Sequence, residues 1–284
     1  MPEQVLLITG SSSGIGRAAA VEAAARGHRV FASARDPADV ADLAKLGVIE
    51  PLALDVTETG SAQRAVAEVL RRAGRLDALV NNAGYGQYGA VEDVALSQWR
   101  RQYEVNVFGA IAMIQAVLPA MRKAGGGTIV NVSSVAGKVA IPFAAAYCSS
   151  KHALEAISDS LRVEVAPFGI RVVVVEPGPI ATKFGDRARA EVAPLMGRDG
   201  PYKDFYVAAE RAMETDFRRG QVPASNVARV ILDAIEARRP RTRYAVTTMA
   251  KLALPAKRLL SDRAMDRAMR RSLKLPKAPP RRKP

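Results

Sequence analysis

V-L-L-I-T-G-S-S-S-G-I-G, Val5 to Gly16, is the stretch whose reading decides the fold. Val5 to Ile8 is wholly apolar, as a strand buried on both faces would be. After Gly16 comes R-A-A-A-V-E-A-A-A-R, rich in helix formers, and Gly27 stands where a left-handed residue ends a helix. Strand, glycine turn and helix in that order predict a β–α unit that holds a dinucleotide. The glycines allow a tight turn and let the backbone approach a pyrophosphate at the helix N-terminus. The spacing is G-x-x-x-G-x-G, through Gly10, Gly14 and Gly16, rather than G-x-G-x-x-G. A plain β–α turn is therefore the alternative reading.

Outward from this unit the alternation repeats. Val30 to Ser33 reads as a second strand and Leu52 to Val56 as a third, reaching Asp55. Ser61 to Ala73 reads as an amphipathic helix, with Ala62, Ala65, Val66, Val69 and Leu70 on one side. Ala78 to Val80 is a fourth strand and runs into N-N-A-G, Asn81 to Gly84. Ser97 to Met121 has helical spacing, with Asn106 in its middle. Gly127 to Ser133 delivers Ser134 at a strand end, Tyr147 to Ala166 is helical, and Arg171 to Val175 leads into E-P-G-P-I-A-T, Glu176 to Thr182. Strands alternating with helices throughout predict an α/β fold: one doubly wound, Rossmann-type parallel sheet with helices on both faces, and no second domain. Such sheets take their ligands at the C-terminal ends of the strands.

Tyr147 and Lys151 stand four apart in Y-C-S-S-K, which on a helix puts both side chains on one face. A tyrosine beside a lysine can be an acid/base pair. Bringing a free phenol down from a pKa of about 10 by about 3 units takes about 4 kcal/mol. One positive charge about 4.5 Å away, at an effective dielectric of about 20, supplies roughly that much. Burial opposes it, so a second positive charge, such as an oxidised nicotinamide carries, would help. An ordinary half-buried helix face has the same spacing. Ser134, thirteen residues before the tyrosine, could donate a hydrogen bond to a substrate oxygen. A buried asparagine at 106 is costly unless satisfied, so it serves a structural network or a proton relay.

The second strand ends S-A-R-D-P, where a Rossmann unit meets the adenosine ribose. Asp36 lies about twenty residues past the glycines, which favours NAD. Arg35 suits a 2′-phosphate, and Ala34 holds the last strand position, where an acid would need to be. These residues favour NADP, with NAD as the alternative and a solvated loop charge as the bland meaning of Arg35.

Composition narrows the rest. A single cysteine, Cys148, excludes an intrachain disulfide and reads as packing, since no histidine is placed to activate it. Two histidines and no H-E-x-x-H predict no metal site. M-P-E-Q enters an apolar strand directly, without a basic n-region, so a cytoplasmic location is expected. The apolar run Val107 to Met121 contains Gln115 and Pro119 and reads as a buried helix, too short to span a bilayer. The net charge of +14 is uneven. Residues 238–284 hold sixteen Lys and Arg against two Asp and Glu, which leaves the first 237 residues neutral.

Taken together, T-G-S-S-S-G-I-G, D-V at Asp55, N-N-A-G at Asn81, Asn106, Ser134, Y-C-S-S-K at Tyr147 and P-G-P-I-A-T at Pro177 resemble the short-chain dehydrogenase/reductase family, in family order, over about residues 5–240. The resemblance implies a catalytic tetrad of Asn106, Ser134, Tyr147 and Lys151. Ser134 would hold the substrate oxygen and Tyr147 exchange the proton. Lys151 would bind the nicotinamide ribose and lower the tyrosine pKa, while Asn106 would anchor a relay water. It also implies cofactor contacts from Gly10, Ser12, Ser13, Gly14, Ile15 and Gly16 in the glycine turn, and from Pro177 and Gly178. Asp55 and Val56 would meet the adenine, Asn82, Ala83 and Gly84 the adenosine side, and Thr182 the carboxamide. Arg35 with Ser12 matches the NADP-preferring pattern. E-P-G-P and N-N-A-G-Y-G lean toward the branch of 17β-hydroxysteroid and retinol dehydrogenases and acyl-dihydroxyacetone-phosphate reductase. An apolar alcohol or ketone is the implied substrate, steroid-, retinoid- or lipid-like. A homodimer or homotetramer pairing through the two long helices is the implied assembly. The alternative function is a cofactor-sensing binding protein on the same fold. The Ser134, Tyr147 and Lys151 set favours an enzyme, because a sensor needs no base beside the nicotinamide.

Domain 1–240 is read as the catalytic unit, with a substrate lid at about 183–222, where glycine, proline, charges and aromatics mix. Phe184, Leu195, Met196, Tyr202, Phe205 and Tyr206 either line an apolar pocket or pin the lid to the body. Ser225 is read as the cap of a following helix, and Arg243 to Val246 as a last strand. Residues 241–284 form a basic amphipathic extension. Met249, Leu252, Ala253, Ala256, Leu259 and Leu260 make one stripe, which Pro255 is expected to break. Ser261 caps a second helix with the stripe Ala264, Met265, Ala268, Met269 and Leu273, and K-A-P-P-R-R-K-P is a disordered end. The stripes either pack on the body or a partner subunit, or contact anionic lipid as a membrane-peripheral element. Nucleic acid is disfavoured, since no aromatic residue beyond Tyr244 interleaves the charges.

Overall fold

A computed structural model describes residues 2–197, 200–220 and 222–275. Nine strands and ten α-helices follow one another among these residues. The first half holds β1 (Val5–Ile8), α1 (Gly14–Ala25), β2 (Arg29–Ala34), β3 (Ile49–Ala53), α2 (Ser61–Ala73), β4 (Ala78–Asn81), α3 (Leu96–Tyr103), α4 (Gly109–Lys123) and β5 (Gly127–Val132). The second half holds α5 (Ala145–Val165), β6 (Ile170–Glu176), β7 (Ile180–Ala181), α6 (Phe184–Met196), α7 (Lys203–Gly220), β8 (Val222–Pro223), α8 (Ala224–Glu236), β9 (Arg243–Ala245), α9 (Thr248–Leu259) and α10 (Asp262–Ser272).

Seven strands form one sheet in the order β3-β2-β1-β4-β5-β6-β9, and every pairing is parallel. The wholly apolar β1 has a direct cause. Successive side chains of a strand point to opposite faces, and here both faces are covered. Leu6 and Ile8 pack with Ala19, Ala20 and Ala23 of α1 and Val227 and Ile231 of α8. Val5 and Leu7 pack on the other side with Val66 and Val69 of α2, Met113 and Val117 of α4 and Leu161 of α5. The sheet is thus a layer between two helical layers, and the reading as a doubly wound parallel α/β fold holds.

Several expectations need correction. The third strand ends at Ala53, paired with Ala34 at the end of β2. Asp55 lies beyond it in a turn, where its carboxylate accepts from the Thr57 backbone N–H (2.9 Å) and hydroxyl (2.7 Å). Ser225 does not cap α8. The helix starts one residue earlier, after Pro223, which has the extended conformation of a cap residue and supplies no side-chain bond. Pro255 does not break its helix. α9 runs through it, and the turn before it is fastened: Ala250 is fully buried, and Ala250 and Ala253 pack on Val135 and Val139. The proline ring itself faces solvent. The Ser261 cap is present, accepting from the Ala264 N–H at 3.4 Å. The mixed segment after Lys183 forms the helices α6 and α7, and β7 pairs with β8 as a separate two-stranded ribbon. Met196's side chain and the K-A-P-P-R-R-K-P end lie outside the described residues.

The long helical reading around Asn106 also changes. Between α3 and α4 the chain widens into a π-helix over Glu104–Phe108, the kind of insertion that re-aims a side chain within a helix. The run Leu96–Lys123 is long and apolar enough to cross a membrane by length and composition. Met113, Ile114, Val117 and Met121 are spent in the core, so it packs as an internal helix.

Candidate active site

Strand order reverses between β1 and β4, and in open parallel sheets the crevice at such a point takes the ligand. The glycine turn after β1 opens there. Gly10 and Gly14 have φ of 69° and 58°, in the left-handed region that strains any side chain. A Cβ on Gly16 would collide with the Gly10 carbonyl and the Asn82 amide, and one on Gly14 would press on Thr182. α1 begins at Ser13 without a side-chain cap and with no acidic residue in its first turn. That end keeps its positive character and suits a phosphate. The cradle is a backbone surface that only glycine permits, so these residues fit a dinucleotide.

The side-chain N–H groups of Asn82 donate to the Thr9 and Gly10 carbonyls at 2.9 and 3.1 Å, so it also braces the turn. Thr9, which sequence reasoning missed, accepts from the Asn82 and Ala83 N–H groups, both at 2.9 Å. A threonine directly before the first glycine was the available signal.

At the end of β2 the two candidate cofactor selectors separate. Asp36 accepts from the Ala38 N–H at 2.9 Å and caps the 3₁₀ helix Pro37–Leu46. Its carboxylate is turned to that use. Arg35 is exposed beside it and lies near Asp55. Burial works to raise the Asp55 carboxyl, but the two Thr57 bonds and the positive charge of Arg35 hold it below the ordinary range. Val56 packs against Gly109, and Ile15 against the core behind the turn.

Four elements converge on the expected tetrad. α5 carries Tyr147 and Lys151 on its inner face, 8 % and 6 % exposed. Ser134 follows β5, accepts from the Ala136 N–H (3.1 Å) and donates to the Pro177 carbonyl (3.4 Å). That carbonyl also accepts from the Val135 N–H at 2.9 Å, which joins the Ser134 turn to the P-G-P loop. A Cβ on Gly84 would stand 3.1 Å from Asn106 Oδ1 and 3.7 Å from Lys151 Nζ, so the N-N-A-G turn reaches the same point.

The titration of this cluster is set by burial. Burial pushes the Tyr147 phenol up to about 12, and a hydrogen bond with Ser134 only partly offsets it. The expectation that Lys151 lowers this pKa is not met by the protein's own residues. Burial drives Lys151 itself down to about 8, against the pull of Glu155. Its ammonium donates to the Val132 carbonyl at 2.8 Å and stands 6.0 Å from the Tyr147 ring centre. The phenol is therefore held as a protonated donor.

Asn106 is satisfied by the chain. Its two N–H donors go to the Tyr85 carbonyl (3.0 Å) and the Ser150 hydroxyl (3.1 Å), and its oxygen accepts from the Tyr85 N–H (3.1 Å). One lone pair remains for a water. Ser150, also missed, donates to the Tyr147 carbonyl at 2.7 Å and so links Asn106 to the tyrosine's own turn. Its position three after Tyr147, on the inner face, was the signal.

Aromatic rings wall the phenol. Tyr88 stacks on Tyr147 at 6.1 Å, and Phe184 tilts against it at 5.5 Å. Of the other aromatics assigned to the lid, Tyr206 accepts from the Ala90 N–H (2.8 Å), donates to the Asp93 carboxylate and packs on Phe143. Tyr202 and Phe205 join the same group. Phe184 thus faces the site, while Tyr206 pins α7 to the body. Among the described residues no group of three or more His, Cys, Asp or Glu is placed to hold a metal.

Comparison with known proteins agrees with this architecture. Residues 4–193 match the family model described as short chain dehydrogenase, and the chain belongs to that family. It is 35% identical to the 3-ketodihydrosphingosine reductase of Bacteroides thetaiotaomicron, over 95% of this chain and 98% of that protein. It is 34% identical to an NADPH-dependent 3-dehydrocapnine reductase of Ornithobacterium rhinotracheale, over 94% and 96%. A solved short-chain dehydrogenase/reductase of Burkholderia phymatum, in complex with NAD, superposes with a TM-score of 0.78 at 26% identity, over 98% of this chain and 97% of that one. The protein is an oxidoreductase of this family.

Proposed function

We propose that the protein reduces the carbonyl of an apolar, lipid-like ketone with NADPH in the cytoplasm. The observation that carries this reading is the buried Tyr147 phenol, set against Ser134 and Lys151 and walled by Tyr88 and Phe184. A reduced nicotinamide held in the glycine cradle would supply the hydride for the carbonyl carbon. Ser134 holds the substrate oxygen, and Tyr147 gives it the proton, so the ketone leaves as a secondary alcohol. A phenol held near 12 is protonated at every physiological pH, the state a proton donor to the substrate oxygen needs. Lys151 holds the ribose, and Asn106 acts through Tyr85 and Ser150 to keep the cluster in place. α6 and α7 serve as the lid, with Phe184 as its substrate-facing residue. The two relatives described above are named as a 3-ketodihydrosphingosine reductase and an NADPH-dependent 3-dehydrocapnine reductase, which supports a reductase acting on a lipid-like substrate. Measured on a panel of ketones, kcat/KM should rise with alkyl length or ring number. Equal rates on short polar ketones would contradict the apolar reading.

Arg35 selects NADPH in this proposal, because Asp36 is engaged as a helix cap. Arg35→Ala should weaken NADPH binding by about ten- to a hundred-fold, the effect of one charge-assisted hydrogen bond, and leave NADH nearly untouched. Titration calorimetry with both cofactors checks this, and equal losses would refute a phosphate-specific role. The active form is proposed to be a homo-oligomer pairing through the outer faces of the helical run Leu96–Lys123 and of α5. Phe108 and Val163 stand 53% and 72% exposed there. Light scattering at micromolar concentration should give a dimer or tetramer mass, and a monomer mass would end this part of the reading.

A further inference from the structure

The extension after residue 246 has two apolar faces, and only one is used by the fold. Met265 and Met269 of α10, with Ala250 and Ala253 of α9, pack on Val135 and Val139 behind the Ser134 turn, and Leu273 is buried. The second face is turned largely to solvent, and only its Met249 end reaches the body. Met249, Leu252, Leu259 and Leu260 are 45%, 69%, 85% and 42% exposed. At about 100° per residue, positions 249, 252, 256, 259 and 260 fall within about a third of the helix circumference. These side chains therefore form one ridge along α9, with Ala256 between them. Single exposed leucines are ordinary on a surface, but a ridge of four large apolar side chains is not.

The charge of the extension names the partner of the ridge. Lys251 is exposed on α9, and Arg263, Arg267, Arg271 and Lys274 are exposed on α10 and just after it. Residues 238–284 carry all of the chain's net +14. An exposed apolar ridge on a strongly basic extension matches the interface of an anionic bilayer, where acyl chains take the leucines and headgroups take the cations. A second copy seated on the ridge would bring two such basic regions together and be repelled. Nucleic acid would use the charges and leave the leucines in water.

The ridge begins at the rim of the active site. The Met249 methyl lies against Gly178, 3.3 Å from a Cβ built there, in the loop whose Pro177 carbonyl accepts from Ser134. We propose that the Met249–Leu252–Leu259–Leu260 ridge docks the protein on anionic membrane and sets the crevice facing the lipid that holds its substrate. Substrate delivery rests on the apolar-ketone reading above; docking does not.

The test is sedimentation of the full chain with vesicles of phosphatidylcholine alone or mixed with phosphatidylserine, in low and high salt. Wild type should partition at least about ten-fold better onto the anionic vesicles, and high salt should reverse this. Leu252→Asp with Leu259→Asp should cut anionic binding by about ten-fold or more, while keeping wild-type circular dichroism and wild-type affinity for NADPH. Both leucines are far out in solvent, so the fold does not depend on them. Equal partitioning of the double variant, or no preference of wild type for anionic vesicles, overturns the proposal. So does a fall in oligomer mass in the double variant, which would identify a second copy as the occupant. Vesicle binding without turnover on any ketone would leave docking standing and remove only the substrate reading.

Discussion

Tyr147→Phe is expected to reduce turnover by about 10²–10⁴-fold, the range for loss of a positioned general acid, with NADPH affinity nearly unchanged. The ring is what the fold needs from this residue. It stacks on Tyr88 and meets Phe184, and phenylalanine keeps both contacts. Only the hydroxyl is lost, together with its hydrogen bond to Ser134. Steady-state kinetics on a ketone substrate, with cofactor titration alongside, separates the two effects. Turnover at the wild-type level would exclude the phenol as the proton donor.

Lys151→Met is expected to lose both turnover and cofactor affinity, because one ammonium serves both. Methionine keeps most of the apolar stem in the buried slot and removes the donor to the Val132 carbonyl. Wild-type behaviour with pH supplies a second reading. Burial lowers the folded-state pKa of Lys151 from its ordinary value to about 8, so the charged form is present below about 8 and lost as pH rises through it. The phenol, held near 12, stays protonated over the same interval. The kcat/KM for NADPH should therefore fall as pH rises through about 8 in wild type. In Lys151→Met that limb should be absent, with the remaining rate flat from pH 7 to 9. A wild-type pH profile in the variant would show that another group titrates there.

The parts of this molecule that could be read from the chain are those where one physical demand writes one pattern. β1 had to be apolar at every position because both its faces are covered. α2 matched its expected limits because one side meets the sheet and the other meets water. The glycine turn was legible because no other residue fits beside the Gly10 carbonyl. The Asp36 cap was within reach as well. An aspartate before proline is a helix start, yet the same residue also sat where a ribose-binding acid would.

What could not be read depended on contacts distant in sequence. Nothing between Glu104 and Phe108 marks a π-turn, so the bonds from Asn106 to Tyr85 and Ser150 were hidden. The stacking of Tyr88 on Tyr147 joins a loop to a helix far from it in the chain. The rise of the Tyr147 pKa follows from how completely those rings and α6 cover it, whereas pairwise reasoning with Lys151 alone pointed the other way. The extension shows the same limit. Its two stripes were visible, but which of them the body would cover was decided by Val135 and Val139.

The measurement that bears most directly on the central claim is NADPH oxidation by wild type and Tyr147→Phe across short, long-chain and polycyclic ketones, with the alcohol product identified. The account predicts cofactor consumption matched one-for-one by a secondary alcohol from the apolar ketones, and almost none from the variant. Tight NADPH binding with no carbonyl reduced by wild type would contradict it and mark the chain as a cofactor-binding protein.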